Sequence, residues 1–277
     1  MKFERTLIAR KDLPLYGKRV LFCTPRNYAQ KLAGLLVRHG ALPIWMPTIV
    51  IEPMDDYSGF DEAIRRLADY AWISFTSRNG IEAFFNRLDA LGLDASILKN
   101  TRVSALGNDG KALEARGVTV DLLPPAASTR GVVEELRRRG ETSGKILLPV
   151  PEVYGMEEPS VIPDYVALLE ELGMQPCRVP AYATRRVTTG LDPELELLTG
   201  GKLDLVAFSS VAEIDSLLYL LADRRDALDH LTVACYGPVT ASGAKERGLS
   251  VAFTADNYSA FEGFIDAMEN HFRSVGT

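Results

Sequence analysis

Short apolar runs alternate along this chain with longer stretches in which apolar residues recur every three or four positions. The first pattern predicts buried strands and the second amphipathic helices. Trp72-Ile73-Ser74-Phe75 is the clearest run. It gives way to Thr76, Ser77, Arg78, Asn79 and Gly80, after which Ile81, Phe84, Phe85 and Leu88 fall at helical spacing. A strand, a polar turn and a helix N-terminus are expected here. Such a junction offers backbone amides and a positive dipole end that suit an anion. Leu205-Val206-Ala207-Phe208, then Ser209 and Ser210, then a helical face at Leu217 and Leu218, repeat the arrangement later.

The remaining pattern is read the same way. Residues 1–16 are mixed and charged and read as an arm. Val20-Leu21-Phe22-Cys23 predicts a strand, Thr24-Pro25-Arg26-Asn27 a turn, and 28–39 a helix closed by Gly40. Residues 42–51 are extended but broken by Pro43 and Pro47, which fits an edge strand or a crossing segment. Helices are expected over 61–70, 81–91, 111–116 and 132–139, the last capped by Ser128 or Thr129. Strands are expected over 72–75, 101–106 and 118–123.

Then the pattern starts again. Gly144-Lys145-Ile146-Leu147-Leu148-Pro149 echoes Gly17-Lys18-Arg19-Val20-Leu21-Phe22. Residues 177–182 echo 44–51, 205–210 echo 72–77, and 232–237 echo 102–107. A degenerate repeat of about half the chain, each copy alternating strands and helices, predicts two parallel α/β sheets with right-handed crossovers. Ligands of such sheets bind beyond the strands' carboxyl ends, where the Ser, Thr and Gly turns fall.

The length of 277 residues suits two domains. The net charge of −6 argues against nucleic acid as the main partner, but a local cluster of amides can still hold a small polyanion. The three cysteines, Cys23, Cys177 and Cys235, are far apart and form no metal or disulfide spacing; they read as fillers of strand interiors. No run approaches the ~20 apolar residues of a membrane span, so no membrane partner is expected.

A Ser or Thr at one strand–helix turn is ordinary capping. Here the chemistry recurs at Thr76-Ser77, Ser128-Thr129, Ser209-Ser210, Gly237-Pro238-Val239-Thr240 and Tyr258-Ser259, which points to a shared anionic ligand. In Gly237-Pro238-Val239-Thr240, Gly237 allows close approach and Pro238 suits the first helical position. Asn79, Gly80 and Arg26 lie on the same class of loop, and Arg26 could meet a carboxylate bidentately or be a surface charge. Tyr182 is either a packing residue with a bonded hydroxyl or a phenolic donor to a leaving group. P-loop, dinucleotide-binding, nucleophile-elbow and zinc-protease motifs are absent, so no cofactor is indicated.

Together these residues resemble the uroporphyrinogen-III synthase family. The likeness runs from Gly17-Lys18-Arg19-Val20 to the last helix. It is carried by Phe75-Thr76-Ser77-Arg78-Asn79-Gly80, Phe208-Ser209-Ser210, Tyr182-Ala183-Thr184 and Tyr236-Gly237-Pro238-Val239-Thr240-Ala241. The resemblance implies two similar flavodoxin- or Rossmann-like domains, the second (50–184) inserted into the first (1–49 with 185–277). Two extended linkers, near 47–52 and 179–185, would join them around a cleft. It also implies the reaction. Hydroxymethylbilane, a linear tetrapyrrole rich in carboxylates, loses its terminal hydroxyl, its last pyrrole is inverted through a spiro intermediate, and the ring closes to uroporphyrinogen III without metal or organic cofactor. Tyr182 matches the tyrosine that assists departure of the hydroxyl; Thr76, Ser77, Ser209 and Thr240 match positions that contact acetate and propionate groups. The implied setting is a cytoplasmic monomer, or a plastid-stroma protein if a transit peptide was removed, with hand-over from hydroxymethylbilane synthase.

The chain departs from the family pattern in places. Pro151-Glu152-Val153-Tyr154-Gly155 stands where an Arg-Gly pair is common, the first-strand Arg is displaced to Arg26, and the Gly107-Asn108-Asp109-Gly110 turn lacks a Thr. These departures motivate a second reading, a tetrapyrrole-binding or regulatory homologue with reduced catalysis. A general two-domain solute binder is a third.

Overall fold

The computed structural model describes residues 11–275. In chain order it contains β1 (Arg19–Phe22), α1 (Arg26–Arg38), β2 (Leu42–Trp45), β3 (Ile49–Glu52), α2 (Ser58–Arg65), β4 (Trp72–Ser74) and α3 (Arg78–Leu91). Next come β5 (Arg102–Ser104), α4 (Asp109–Glu114), α5 (Thr129–Arg138), β6 (Lys145–Tyr154), α6 (Val161–Leu172) and β7 (Gln175–Arg186). The chain ends with α7 (Asp192–Thr199), β8 (Leu205–Phe208), α8 (Val211–Leu221), β9 (Thr232–Cys235), α9 (Pro238–Glu246), β10 (Val251–Thr254) and α10 (Phe261–Val275).

Two compact units result. One runs through Ile51, takes in Gly155–Glu157 and resumes at Arg185; the other comprises Glu52–Tyr154 and Glu158–Thr184. The first unit's sheet has the order β10-β9-β8-β1-β2, with parallel pairing of β1 to β2 and β8, and of β9 to β8 and β10. The second sheet has the order β3-β7-β6-β4-β5, and β4 pairs in parallel with β5 and β6. The sequence echoes reappear as rank: β2-β1-β8-β9 in one sheet and β7-β6-β4-β5 in the other are the same succession of echo pairs. The proline-broken run 42–51 supplies an edge strand to each sheet, β2 to the first and β3 to the second. An edge position tolerates the missing N–H of Pro43.

The strands read as continuous apolar runs because helices cover both faces of each sheet. In the first unit Leu21 and Cys23 enter a core with Leu198, Ile214, Leu217 and Ala244, while Val20 and Phe22 enter one with Leu32, Leu36, Phe264 and Met268. In the second, Trp72, Ile146 and Leu148 pack with Val132, Leu136, Tyr165 and Leu169. Phe75 stacks edge-on to Phe84 at 5.4 Å, and Phe84 meets Phe60 at 6.4 Å. Each such large side chain contributes roughly 1.5–3 kcal/mol by leaving water. Helix ends follow the expected chemistry: Gly40, Gly92 and Gly173 terminate helices with left-handed backbone.

Four features differ from the sequence pattern. The expected arm lies partly outside the described residues; within them, 11–16 form turns and Leu15 is fully buried against the α1 side of the sheet. Residues 118–123 make only a single bridge, Leu122 to Ser104, instead of a strand. The Asp121 carboxylate accepts the Val103 N–H at 2.8 Å, so a side chain takes the place of a ladder carbonyl. The sequence pattern does not signal helix α7 or strand β10: α7 is short and acidic, and β10 has no fully buried residue. Cys177 is half-buried, unlike the buried Cys23 and Cys235, and all three thiols are free.

Candidate functional site

In the second unit the turn after β4 is closed by Ser77. Its Oγ caps α3 by accepting the Gly80 N–H at 3.2 Å. The same oxygen lies 3.1 Å from the hydroxyl of Tyr182, which sits on β7. Tyr182 is 7% exposed, so its ring is packed while its oxygen reaches the polar turn. Burial pushes the phenol above its ordinary value, and bonds with Ser77 and Asn79 pull part of the way back. The hydroxyl therefore stays protonated at neutral pH, available to donate. Thr76 and Asn79 are half-buried beside it. Gly80 sits in tight space: a Cβ there would lie 3.2 Å from the Pro149 carbonyl oxygen.

Two other turns of this unit are spent internally. Ser128 caps α5 by accepting the Gly131 N–H at 3.1 Å, and Thr129 opens that helix. Arg78 donates through Nε to Asp109 at 2.9 Å, tying the Ser77 turn to the head of α4. Burial raises the Asp109 carboxyl, and the Arg78 bond partly offsets that. The acid of the Gly107–Gly110 turn is thus paired within the unit.

In the first unit, parallel pairing gathers the heads of α1, α8 and α9 along the carboxyl edge of β1, β8 and β9. Arg26 is the exposed first residue of α1. At α8, Ser210 Oγ accepts the Glu213 N–H at 3.3 Å. The Glu213 side chain folds back over the turn: the Ser209 N–H donates to one carboxylate oxygen at 2.7 Å, and the Ser209 hydroxyl donates to the other. Glu213 is wholly buried, and burial pushes its carboxyl up to about 7 against the opposing bonds from Ser209 and Ser210. Thr240, on α9, donates from Oγ1 to the Ser209 carbonyl at 3.2 Å. Gly237 stands at the N-cap of α9 and Pro238 at its first position, with no side-chain cap; Pro238 and Val239 are exposed. Ser259 is turned onto Asn257, donating to its Oδ1 at 2.6 Å.

The structure thus brings Ser77, Asn79, Gly80 and Tyr182 together in one unit, and Ser209, Ser210, Gly237 and Thr240 in the other. Ser128 and Ser259 are engaged in their own turns. Glu213 was not singled out from the sequence, although Ser210-x-x-Glu213 is the capping-box spacing that announces it. Among the described residues no cluster of His, Cys, Asp or Glu could hold a metal ion, and no helix is long and apolar enough to cross a membrane. A 320 Å³ hollow of the first unit, beside Arg186 and Arg247, contains none of these turns.

Comparison with known proteins gives a consistent result. The family described as Uroporphyrinogen-III synthase HemD matches residues 30–264. The Synechococcus elongatus uroporphyrinogen-III synthase is 27% identical over 269 residues, covering 95% of this chain and 99% of its own. The porphyrin biosynthesis protein HemD of Ruminiclostridium josui is 27% identical over 256 residues; 92% of this chain matches 49% of that protein, so this chain spans about half its length. Among solved structures, a mutant uroporphyrinogen III synthase from Thermus thermophilus shares the fold with a TM-score of 0.66 at 20% identity, covering 92% of this chain and all of its own.

Proposed function

The chain belongs to the uroporphyrinogen-III synthase family, and from that premise we propose that it cyclises hydroxymethylbilane to uroporphyrinogen III with inversion of the last pyrrole. The observation that carries the proposal is the buried, protonated Tyr182 hydroxyl at 3.1 Å from Ser77, at the head of α3. A neutral phenol in this place donates a hydrogen bond to the departing hydroxyl of the substrate. Loss of that hydroxyl leaves an azafulvene cation, and the phenol supplies the proton that makes it leave as water. The reaction is then a dehydration with ring closure, of the lyase type.

The remaining work is holding and shaping. Ring closure without inversion needs no catalyst, so selectivity comes from fixing the chain's carboxylates while the last pyrrole turns. In the second unit the head of α3, with Thr76, Asn79 and Gly80, receives a carboxylate. In the first, the uncapped head of α9 at Gly237–Thr240 does so, with Arg26 at the head of α1 as a further cation. On this reading the units act as domains, 1–49 with 185–277 and 50–184. The protein works as a cytoplasmic monomer that receives its substrate from hydroxymethylbilane synthase.

The test is direct. Purified protein is supplied with enzymatically generated hydroxymethylbilane, and the uroporphyrinogen isomers are separated after oxidation. Type III product above the spontaneous background is expected. Type I product alone, at the spontaneous rate, overturns the reading; tight tetrapyrrole binding without type III product would then favour a binding homologue.

A further inference from the structure

Among the described residues, three helices begin at a serine whose side chain caps them: α3 at Ser77, α5 at Ser128 and α8 at Ser210. In each, the serine oxygen accepts the amide three residues on. That third residue is Gly80, Gly131 and Glu213 in turn. Glycine has no side chain with which to cover the turn's other donors. Glu213 covers them, because its carboxylate accepts both the N–H and the hydroxyl of Ser209. It is also one end of a chain of bonds. Ser209 gives both its donors to Glu213, and its carbonyl accepts the Thr240 hydroxyl at 3.2 Å.

We infer that Glu213 is a positioning residue of the first unit: its carboxylate fills the α8 turn as a ligand carboxylate otherwise would, and through Ser209 it holds Thr240 in place at the head of α9. The inference rests on the proposed function only in naming the ligand as the carboxylate-rich substrate. Its consequence is a division of labour. The α8 turn is closed to substrate, and the uncapped α9 turn is the carboxylate receptor of this unit. Because the Thr240 proton is committed to Ser209, the α9 turn meets a carboxylate with the amides of Val239 and Thr240.

The groups facing Glu213 are few. The Cys23 and Cys235 thiols lie near enough to feel its charge, and the Thr48 hydroxyl donates to its backbone carbonyl at 3.2 Å. Lys245, on α9, acts on Cys235. Burial keeps both thiols neutral at physiological pH. Across that range Glu213 is thus the group in this cluster whose charge changes, and ionising it adds a negative charge near the receptor of a polyanion.

Two readouts test this on the full chain. The first needs no activity: amide nitrogen shifts of Ser209 and Thr240 are followed from pH 5 to 9 by NMR. In the native protein both should titrate with one shared midpoint. In Glu213→Gln, whose amide can still bond Ser209, neither should. In Thr240→Val, Ser209 should titrate alone. The second readout is KM for hydroxymethylbilane across the same range. It should rise severalfold with pH in the native protein and stay flat in Glu213→Gln. A Thr240 amide that ignores the Ser209 midpoint, or KM profiles that coincide for the native protein and Glu213→Gln, overturns the inference. Absence of type III product from the native protein overturns the proposed function instead, and leaves the NMR readout to decide the role of Glu213.

Discussion

The Tyr182 hydroxyl and Ser77 Oγ are 3.1 Å apart, and the same Ser77 oxygen closes the first turn of α3 through Gly80 at 3.2 Å. One atom therefore serves the helix and orients the phenol. Tyr182→Phe deletes the donor while keeping the packed ring. We expect kcat to fall roughly 100-fold, the scale of a positioned proton donor, with KM nearly unchanged. Steady-state kinetics with freshly generated substrate checks this; an unchanged kcat makes Tyr182 a packing residue only.

Ser77→Ala removes both services at once. Loss of the cap should cost about 1 kcal/mol of stability, readable in urea unfolding. The phenol also loses one of its two partners, keeping Asn79, so kcat should fall together with stability. Ser77→Asn restores a capping oxygen without returning a hydroxyl to Tyr182. Its stability should recover while kcat stays low. Recovery of both would mean that Ser77 acts only as a cap.

The repeat and its two parallel sheets were legible because they rest on composition. A strand covered on both faces must be apolar throughout, and its carboxyl end must turn, so 72–77 and 205–210 look alike and occupy the same rank in their sheets. Tyr182 and Ser77 were each visible, but nothing in their spacing tells that they touch. Glu213 was hidden for a different reason. An acid at the third helical position usually faces water, and only the tertiary burial of this turn shows that its carboxylate is consumed by Ser209. Residues 118–123 misled because the alternation of Val118, Val120 and Leu122 is strand-like, whereas the Asp121 side chain supplies the acceptor for Val103.

Gly131 and Gly80 occupy the same capping position with different room. A Cβ at Gly131 would lie 2.3 Å from the Ala126 carbonyl oxygen, a backbone atom with no rotamer to yield. At Gly80 the nearest atom, the Pro149 carbonyl oxygen, is 3.2 Å away. Gly131→Ala should therefore destabilise by about 2–4 kcal/mol and Gly80→Ala by about 1 kcal/mol, as steric strain in packed structure does. Thermal or urea unfolding of the two variants gives the ranking; the reverse order would contradict the placement of the 124–128 loop.

Glu213 makes stability depend on pH in a definite direction. Its carboxyl is raised from an ordinary 4.5 to about 7 in the folded protein, chiefly by burial. Below pH 4.5 the group is protonated folded and unfolded alike, and its contribution is fully present. Between 4.5 and 7 the folded state holds a proton that the unfolded state has released, so stability falls as pH rises; above 7 both have released it and the loss is complete. The 2.5-unit gap sets an upper bound of ~3 kcal/mol on that loss. Glu213→Gln cannot titrate, and comparing it with the native protein cancels every group the two share. Cys23 and Cys235 stay neutral throughout the window, because burial raises both thiols, Cys235 to about 12. Urea unfolding at a series of pH values should therefore show the variant gaining on the native protein between pH 4.5 and 7 and holding that gain at pH 8. Parallel stability curves would mean that Glu213 is already ionised, with the Ser209 and Ser210 bonds outweighing its burial.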